Sequence, residues 1–329
     1  MHLSQATPLR DPALLFGRPT LARHSRPRVL VLLAAYNGSR WIRQQVDSIL
    51  AQDDVDVRLV IRDDASTDKT RWVLKHFGDD ARVGVVCAPK WGGAAARNFL
   101  SLMEENPATG CDYVAFADQD DIWNRDKLVR ACRMLDASTA GGYSSATVAA
   151  WEDGRKRVLE PAGTPTASDF LLEGAGQGCT FVLRPDLYER IRRFLTTHGS
   201  LTRQLHYHDW MVYALARTWG LPWCFDAQPS MQYRQHAGND TGARVTGGGI
   251  ARRLTLIRRG WYRTQLVTIA SLCAAATPTN ATVLAWQCLL DAPDSWRRRL
   301  RLARFCLGGG RRRRCDNLVA VLASLCGWL

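Results

Sequence analysis

The chain lacks any Cys-x-x-Cys pair among its ten cysteines, any apolar run approaching the ~20 residues of a membrane span, and any internal repeat. Each absence removes a class. Cysteines scattered without a framework exclude a disulfide scaffold or zinc ribbon and predict reduced thiols in a cytosolic protein. The longest apolar candidates, residues 266–277 and 318–329, are too short to cross a bilayer. Residues 1–27 mix Pro, Arg and His with no sustained apolar stretch, which predicts a flexible leader and not a secretory signal. A dinucleotide fingerprint is missing as well, because Gly174-Ala175-Gly176-Gln177-Gly178 precedes a strand-like run and opens no helix.

What is present suits an ordinary globular protein: 329 residues, 46% hydrophobic and 23% charged, enough to bury a large core. The formal charge is +13, and it is unevenly spread. Beyond Ala251 stand fourteen arginines against only Asp291, Asp294 and Asp316. Such a basic end fits nucleic acid or an anionic membrane surface.

Strand and helix patterns alternate through the first half. The near-continuous apolar run Arg28–Ala35 has the character of a strand buried on both faces of a parallel sheet. It ends at Tyr36-Asn37-Gly38, where Ser39 could cap a helix carrying Ile42, Val46, Ile49 and Leu50 on one face. Further strands are predicted at 55–61, 83–87 and 113–118, with helices around Val73 to Phe77, at 94–103 and at 124–135. This alternation predicts an α/β fold, doubly wound around a mainly parallel central sheet. Residues 143–159 are expected to be irregular or short-stranded, 179–183 a strand, 186–195 and 209–219 helices, and 231–235 a short strand or loop. Gly247-Gly248-Gly249 marks the main boundary, dividing a catalytic domain over 28–246 from a basic helical region over 247–329.

The chemistry concentrates where strands end. Tyr113 to Asp118 runs into Gln119-Asp120-Asp121, placing three carboxylates in the crevice beyond a strand's carboxyl end, where α/β sheets bind ligands. Acids this close need a cation, and oxygen donors suit a hard divalent ion such as Mg²⁺ or Mn²⁺. Tyr36-Asn37, Asp63-Asp64 and His208-Asp209-Trp210 occupy comparable positions on the same expected edge.

The segments Leu-Leu-Ala-Ala-Tyr-Asn-Gly, Arg-Asp-Asp-Ala-Ser-Thr-Asp, Ala-Asp-Gln-Asp-Asp-Ile-Trp and His-Asp-Trp, with Gln232-Tyr233-Arg234-Gln235-His236, resemble glycosyltransferase family two. The likeness covers about residues 28–236 and is greatest to the bacterial rhamnosyltransferase branch that builds surface polysaccharide. It implies a Rossmann-like fold of the A type and sugar transfer from a nucleoside diphosphate donor with inversion. By that resemblance Tyr36 lines the base pocket, Asp64 hydrogen-bonds the pyrimidine, and Asp118 sits by the ribose or metal. Asp120 would ligate the metal directly, with His236 a further ligand, Asp121 orienting its neighbours and Asp209 acting as general base. Asn37 and Arg234 would also meet the nucleotide sugar. Where many relatives carry Asn-x-Gly, this chain has Lys90-Trp91-Gly92-Gly93 followed by Arg97. Gly92 and Gly93 still allow close backbone approach to a nucleotide, and Arg97 or Lys90 is positioned by sequence to meet phosphate. Asp63 is read as a turn-capping carboxylate.

These features make the leading expectation an enzyme at the cytoplasmic face of the plasma membrane. It would move a sugar, best matched by rhamnose from thymidine diphosphate rhamnose, to a lipid-linked or polysaccharide acceptor. Leu254, Ile257 and Trp261 share a helical face opposite Arg252, Arg259 and Arg263, which suits either an interfacial helix or a cap packed on the catalytic domain. A nucleotidyltransferase is the second enzymatic reading, but it leaves His208-Asp209 without a task. A basic nucleic-acid-binding protein leaves the acidic turns unexplained, so no nucleic acid is expected as partner.

Overall fold

The structure, a computed structural model, describes residues 26–161, 163–236, 239 and 255–329. Most of the leader and the Gly247 to Gly249 boundary lie outside the described residues. Nine strands form one sheet in the order β3-β2-β1-β4-β8-β6-β9-β5, with β7 paired to β6. Strands β1 (Arg28–Ala35), β2 (Asp56–Asp63), β3 (Val83–Cys87) and β4 (Tyr113–Asp118) are mutually parallel. Between them lie helices α1 (Ile42–Leu50), α2 (Thr70–Leu74) and α3 (Ala95–Glu105).

The sequence of β1 explains its central place. Its side chains alternate between two cores: Leu30 and Leu32 pack on one face of the sheet, and Val29, Val31, Leu33 and Ala35 on the other. In β4, Val114 and Phe116 join the first core while Tyr113, Ala115 and Ala117 join the second. Strand β3 is an exposed edge, with Val85 and Val86 open to solvent. Because β2 lies on one side of β1 and β4 on the other, the strand order reverses between β1 and β4. Ala34 pairs with Asp118 there, so the first acid of the Asp-Gln-Asp-Asp turn stands at the topological switch point.

The second half of the sheet is mixed. After β5 (Ile122–Trp123) and α4 (Lys127–Asp136) come β6 (Gly142–Trp151), β7 (Lys156–Leu159), β8 (Val182–Leu183), α5 (Pro185–His198), α6 (His208–Thr218) and β9 (Trp223–Gln235). The irregular segment expected over 143–159 is instead a long strand and its hairpin partner. Its polar residues obscure the pattern because they are buried and bonded internally: Ser144 Oγ donates to Ala175 O at 2.8 Å, and Ser145 meets Ser230 at 2.6 Å. The short strand expected at 231–235 belongs to the thirteen-residue β9, which accommodates Pro229 where its register with β6 shifts. Cys179 and Thr180 lie in a 3-10 turn before β8, so that strand is shorter than the apolar run. Ser39 caps no helix; α1 begins after Trp41, and the Ser39 N–H donates to Asp68 Oδ2 at 3.1 Å.

Beyond residue 260 the described residues form four helices: α7 (Trp261–Ala276), α8 (Ala281–Asp291), α9 (Trp296–Leu307) and α10 (Arg314–Leu325). They share the first core with the sheet, since Leu266, Ile269, Leu272, Trp286 and Leu302 are buried in one cluster with Phe116, Leu195 and Met211. Of the two readings open for the Leu254, Ile257 and Trp261 stripe, interfacial helix or packed cap, the described residues pack as a cap does. Ile257 packs against this core, and Trp261 meets His206 and Tyr207 edge-on. The first half of the Arg311 to Arg314 run is also drawn inward, whereas Arg313 and Arg314 are exposed. Arg312 pairs with Asp169 at 2.6 Å, and Arg311 pairs with Glu173 at 3.2 Å, both acids being buried. Their partners are the acids of 169–173, separated by too much chain for spacing to reveal.

Candidate active site

The ends of β1 and β2 are bound together before any ligand chemistry begins. Asn98 on α3 donates to Ala35 O at 3.2 Å and Arg62 O at 3.1 Å, and accepts from Arg62 Nη1 at 2.9 Å. Arg62 in turn reaches Asp64 Oδ1 at 3.3 Å. Asn37 takes positive φ (48°), and its Oδ1 accepts from the Thr67 and Asp68 N–H groups. Its carbonyl oxygen is therefore spent on joining two loops. Asp63 is buried against Arg71 Nε at 2.7 Å and the Ser66 N–H at 3.2 Å, a turn-holding arrangement.

Above this frame Tyr36 is 37% exposed, and its ring stacks on Trp91 at 5.6 Å between centroids and 17° between planes. The Tyr36 backbone is clasped by Gln119, which accepts from its N–H and donates to its carbonyl, both at 2.8 Å. Glycine at position 38 leaves room for this clasp, because a Cβ there would lie 2.2 Å from Gln119 Oε1 and displace that side chain. Both oxygens of Asp64 accept from the Gly92 N–H, at 3.1 and 2.9 Å, so the loop carrying Trp91 is latched to that carboxylate. Gly93 supplies the bend, at φ 95°. Arg97 turns away from this pocket and donates to Arg203 O at 2.9 Å.

The acidic turn divides by environment. Asp120 Oδ2 lies 2.8 Å from His236 Nε2, and Trp41 stacks on that imidazole at 3.9 Å. Two Asp118 and Asp121 carboxylate oxygens and Cys179 Sγ lie within 4.8 Å of one another. Burial, reinforced by Asp120 and Asp118, pushes the Asp121 carboxyl well above the usual carboxylate range. Burial likewise raises the Cys179 thiol, which makes it a poor ligand for a hard cation. Lys127 is buried with its ammonium 4.1 Å from the Trp123 ring, and burial lowers it to about 8. Asp118 thus clusters with Asp121 and Cys179, while Asp120 pairs with His236, and carboxylate and imidazole donors are of the kind that suit Mg²⁺ or Mn²⁺. A cleft of about 440 Å³ reaches His236 and is walled also by Trp41, Gln44, Trp151 and Arg234. Arg234 donates to Gln44 Oε1 in that wall.

Asp209 opens α6 and is half-buried. Its Oδ1 accepts from the Trp210 N–H at 2.7 Å, but burial outweighs such bonds and pushes the carboxyl up to about 6. Gly178 lies against it, since a Cβ there would be 2.8 Å from Asp209 Cβ, and Gly178 precedes the Cys179 beside the acidic turn. The neighbouring His208 stacks on Phe99 at 3.8 Å, and burial lowers it to about 3, so it is a neutral wall. The glycine-rich segment 174–178 therefore serves close packing against α6: a Cβ on Gly174 would also come within 3.3 Å of Trp210 Cα.

Tyr36, Asp64, Asp118, Asp120, His236 and Asp209 consequently sit on adjoining segments of one sheet rim, while Asn37 and Arg97 are engaged in holding loops. Sequence reasoning gave no role to Trp41, Trp91 or Gln119. Trp91 carries a readable signal, a tryptophan beside paired glycines in a strand-end loop; the others need the fold. The family model of glycosyl transferase family 2 matches residues 30–196. The chain is 35% identical over 244 residues to the dTDP-rhamnosyl transferase RfbG of Shigella flexneri, covering 74% of this chain and 84% of that protein. It is 36% identical over 131 residues to the putative teichuronic acid biosynthesis glycosyltransferase TuaG of Bacillus subtilis, covering 39% and 50%. Among solved structures, TarS 1-349 of S. aureus superposes with a TM-score of 0.55 at 14% identity, covering 92% of this chain and 89% of that one.

Proposed function

Since the chain belongs to glycosyl transferase family 2, we propose that it transfers rhamnose from thymidine diphosphate rhamnose, with inversion, to a lipid-linked or polysaccharide acceptor in bacterial cell-surface glycan synthesis. The observation that carries the choice of sugar is the 35% identity to a dTDP-rhamnosyl transferase across 84% of that protein's length. The site chemistry carries the reaction type.

In this reading the base enters beside Tyr36, and its imide N–H replaces the Gly92 N–H on Asp64. Asp118, Asp120 and His236 would hold Mg²⁺ or Mn²⁺, which would supply the positive charge that neutralises the departing diphosphate. Arg234 flanks the diphosphate from the adjoining cleft. Asp209 accepts the proton of the acceptor hydroxyl while that oxygen bonds to the anomeric carbon and the diphosphate leaves from the opposite face. A carboxyl group near 6 is a better base than an exposed one and is still mostly ionised at neutral pH. His208 keeps the wall beside it uncharged. Of the two acceptor classes, a lipid-linked one would suit a peripheral position at the inner face of the plasma membrane.

The test is a panel of nucleotide sugars offered with Mg²⁺ or Mn²⁺, scored by thermal stabilisation and by nucleotide release. Thymidine diphosphate rhamnose should stand out, and the product's anomeric configuration should be opposite to the donor's. Preference for another donor would overturn the sugar, and retained configuration would overturn the role of Asp209.

A further inference from the structure

More than half of the large apolar side chains that stand exposed among the described residues belong to two adjacent helices, α9 and α10. On α9 they are Trp296, Leu300 and Leu307, at 67%, 39% and 60% exposure. Their spacing puts them on one stripe, flanked by the exposed Arg297, Arg301 and Arg304, while Leu302, Ala303 and Cys306 face the core. On α10, Leu318, Leu322 and Leu325 form a second stripe, with Val319 beside it and Arg313 and Arg314 exposed at the helix start. Asp316, the one acid in either helix, is paired with Arg311.

This surface is apolar and cationic together, and that pairing selects its partner. Nucleic acid would satisfy the arginines but offer nothing to Trp296 or the leucines. A bilayer with anionic headgroups satisfies both, because apolar side chains sink to the acyl boundary while guanidinium groups remain among phosphates. The foot of α9 adds a hollow of about 410 Å³ walled by Leu289, Pro293, Ser295, Arg297, Arg298 and Arg301, a basic recess suited to a phosphate headgroup. No helix among the described residues is long and apolar enough to cross a membrane, so the contact is of the kind that lies on the surface.

We propose that the exposed apolar and arginine-bearing faces of α9 and α10 dock this protein on an anionic lipid bilayer. The inference rests on the membrane-side placement proposed above and narrows it, within the basic end, to the exposed faces of α9 and α10 in place of the stripe of Leu254, Ile257 and Trp261.

Full-length protein would be pelleted with vesicles containing phosphatidylglycerol and with vesicles of phosphatidylcholine alone. The expected result is anionic-vesicle binding at least about tenfold stronger than neutral, weakening with salt. Leu318→Ser combined with Leu322→Ser, and separately Arg297→Gln combined with Arg301→Gln and Arg304→Gln, should each cut that binding about tenfold or more. Thermal unfolding and nucleotide release with a water-soluble acceptor should stay unchanged in both variants. Native protein that ignores both vesicles, or variants that pellet as well as native, overturns the proposal. So does self-association of the native protein that the leucine variant abolishes, if no lipid is bound. Nucleotide-sugar binding is read on the same samples without vesicles. Protein that binds vesicles but no donor therefore refutes the enzymatic reading alone, and protein that binds donor but no vesicles refutes the docking surface alone.

Discussion

His236 Nε2 and Asp120 Oδ2 meet at 2.8 Å although 116 residues separate them in the chain, with the Trp41 ring lying over the imidazole at 3.9 Å. A cation would take the place of the proton these two atoms share, and Trp41 fixes the ring for it. Asp120→Asn should therefore abolish turnover with the fold intact. His236→Gln should lower metal affinity or activity by about 10–100-fold. Titrating Mn²⁺ against initial rate distinguishes the roles: an unchanged metal requirement in His236→Gln would show that His236 only props the turn.

Asp209 joins a catalytic prediction to a stability prediction of opposite sign. Its folded pKa of about 6 stands above the ordinary value of 3.8, so folding favours its protonated form. Below the ordinary value both states are protonated and the group contributes nothing. As pH rises through about 6, the half-buried charge destabilises the fold, by about 1–2 kcal/mol after allowing for its contact with water. Asp209→Asn should then lose turnover while unfolding at higher temperature at neutral pH, and that gain should fade by about pH 4. In the native enzyme kcat/KM should fall about tenfold per pH unit below 6 as the base protonates. A rate that stays flat from pH 7 to 5 would remove Asp209 as the base.

The fold was legible where burial is continuous. β1 and β4 are apolar on both faces because the sheet is covered on both, and their ends locate the switch point at once. The legibility failed where polarity is satisfied internally, as in β6, whose Ser144 and Ser145 look like loop residues until Ala175 and Ser230 are placed beside them. The same cause hid the meaning of Arg311 and Arg312, whose acidic partners lie about half the chain away. In the site, strand-end acids were visible from sequence, whereas the Gly92 latch on Asp64 and the stacking of Trp41 on His236 depend on tertiary neighbours. For Asn37 and Arg97, position alone does not tell a loop clasp from a ligand contact, and the structure shows each bonded to a neighbouring loop.

Trp91 stands over Tyr36 in a stack of 5.6 Å, too close for a base to slip between without the loop moving. Gly92 and Gly93 permit that motion, and the Asp64 latch is the bond a pyrimidine imide would replace. Trp91 should then form the second face of a sandwich around the base. Stacking of a base on an aromatic ring is worth about 1–3 kcal/mol, so Trp91→Ala should raise the donor KM by roughly 5–100-fold with kcat little changed. Tryptophan fluorescence should respond to thymidine diphosphate in native protein and much less in Trp91→Phe. A donor KM unaffected by Trp91→Ala would leave Tyr36 as a single-sided platform.

Arg312 reaches from the last helical pair into the wall of the active site. Its guanidinium holds Asp169 at 2.6 Å and Gly174 O at 2.5 Å, and its N–H donates to Glu173 at 2.6 Å. Gly174 packs on Trp210, the residue after the proposed base, and Gly178 packs on Asp209 itself. Removing the guanidinium strands a buried carboxylate, although Arg217 and Tyr213 still contact Asp169, at 3.1 and 2.7 Å. Arg312→Met should accordingly cost about 3 kcal/mol, the lower end for breaking a buried pair, visible as a shifted urea midpoint. If the segment also positions Asp209, kcat should fall while the donor KM holds, because the base pocket lies on other strands. Arg312→Lys should recover stability only in part, since one ammonium cannot span Asp169 and Gly174 O together. A variant destabilised as expected but with native kcat would confine Arg312 to holding the helices on the sheet.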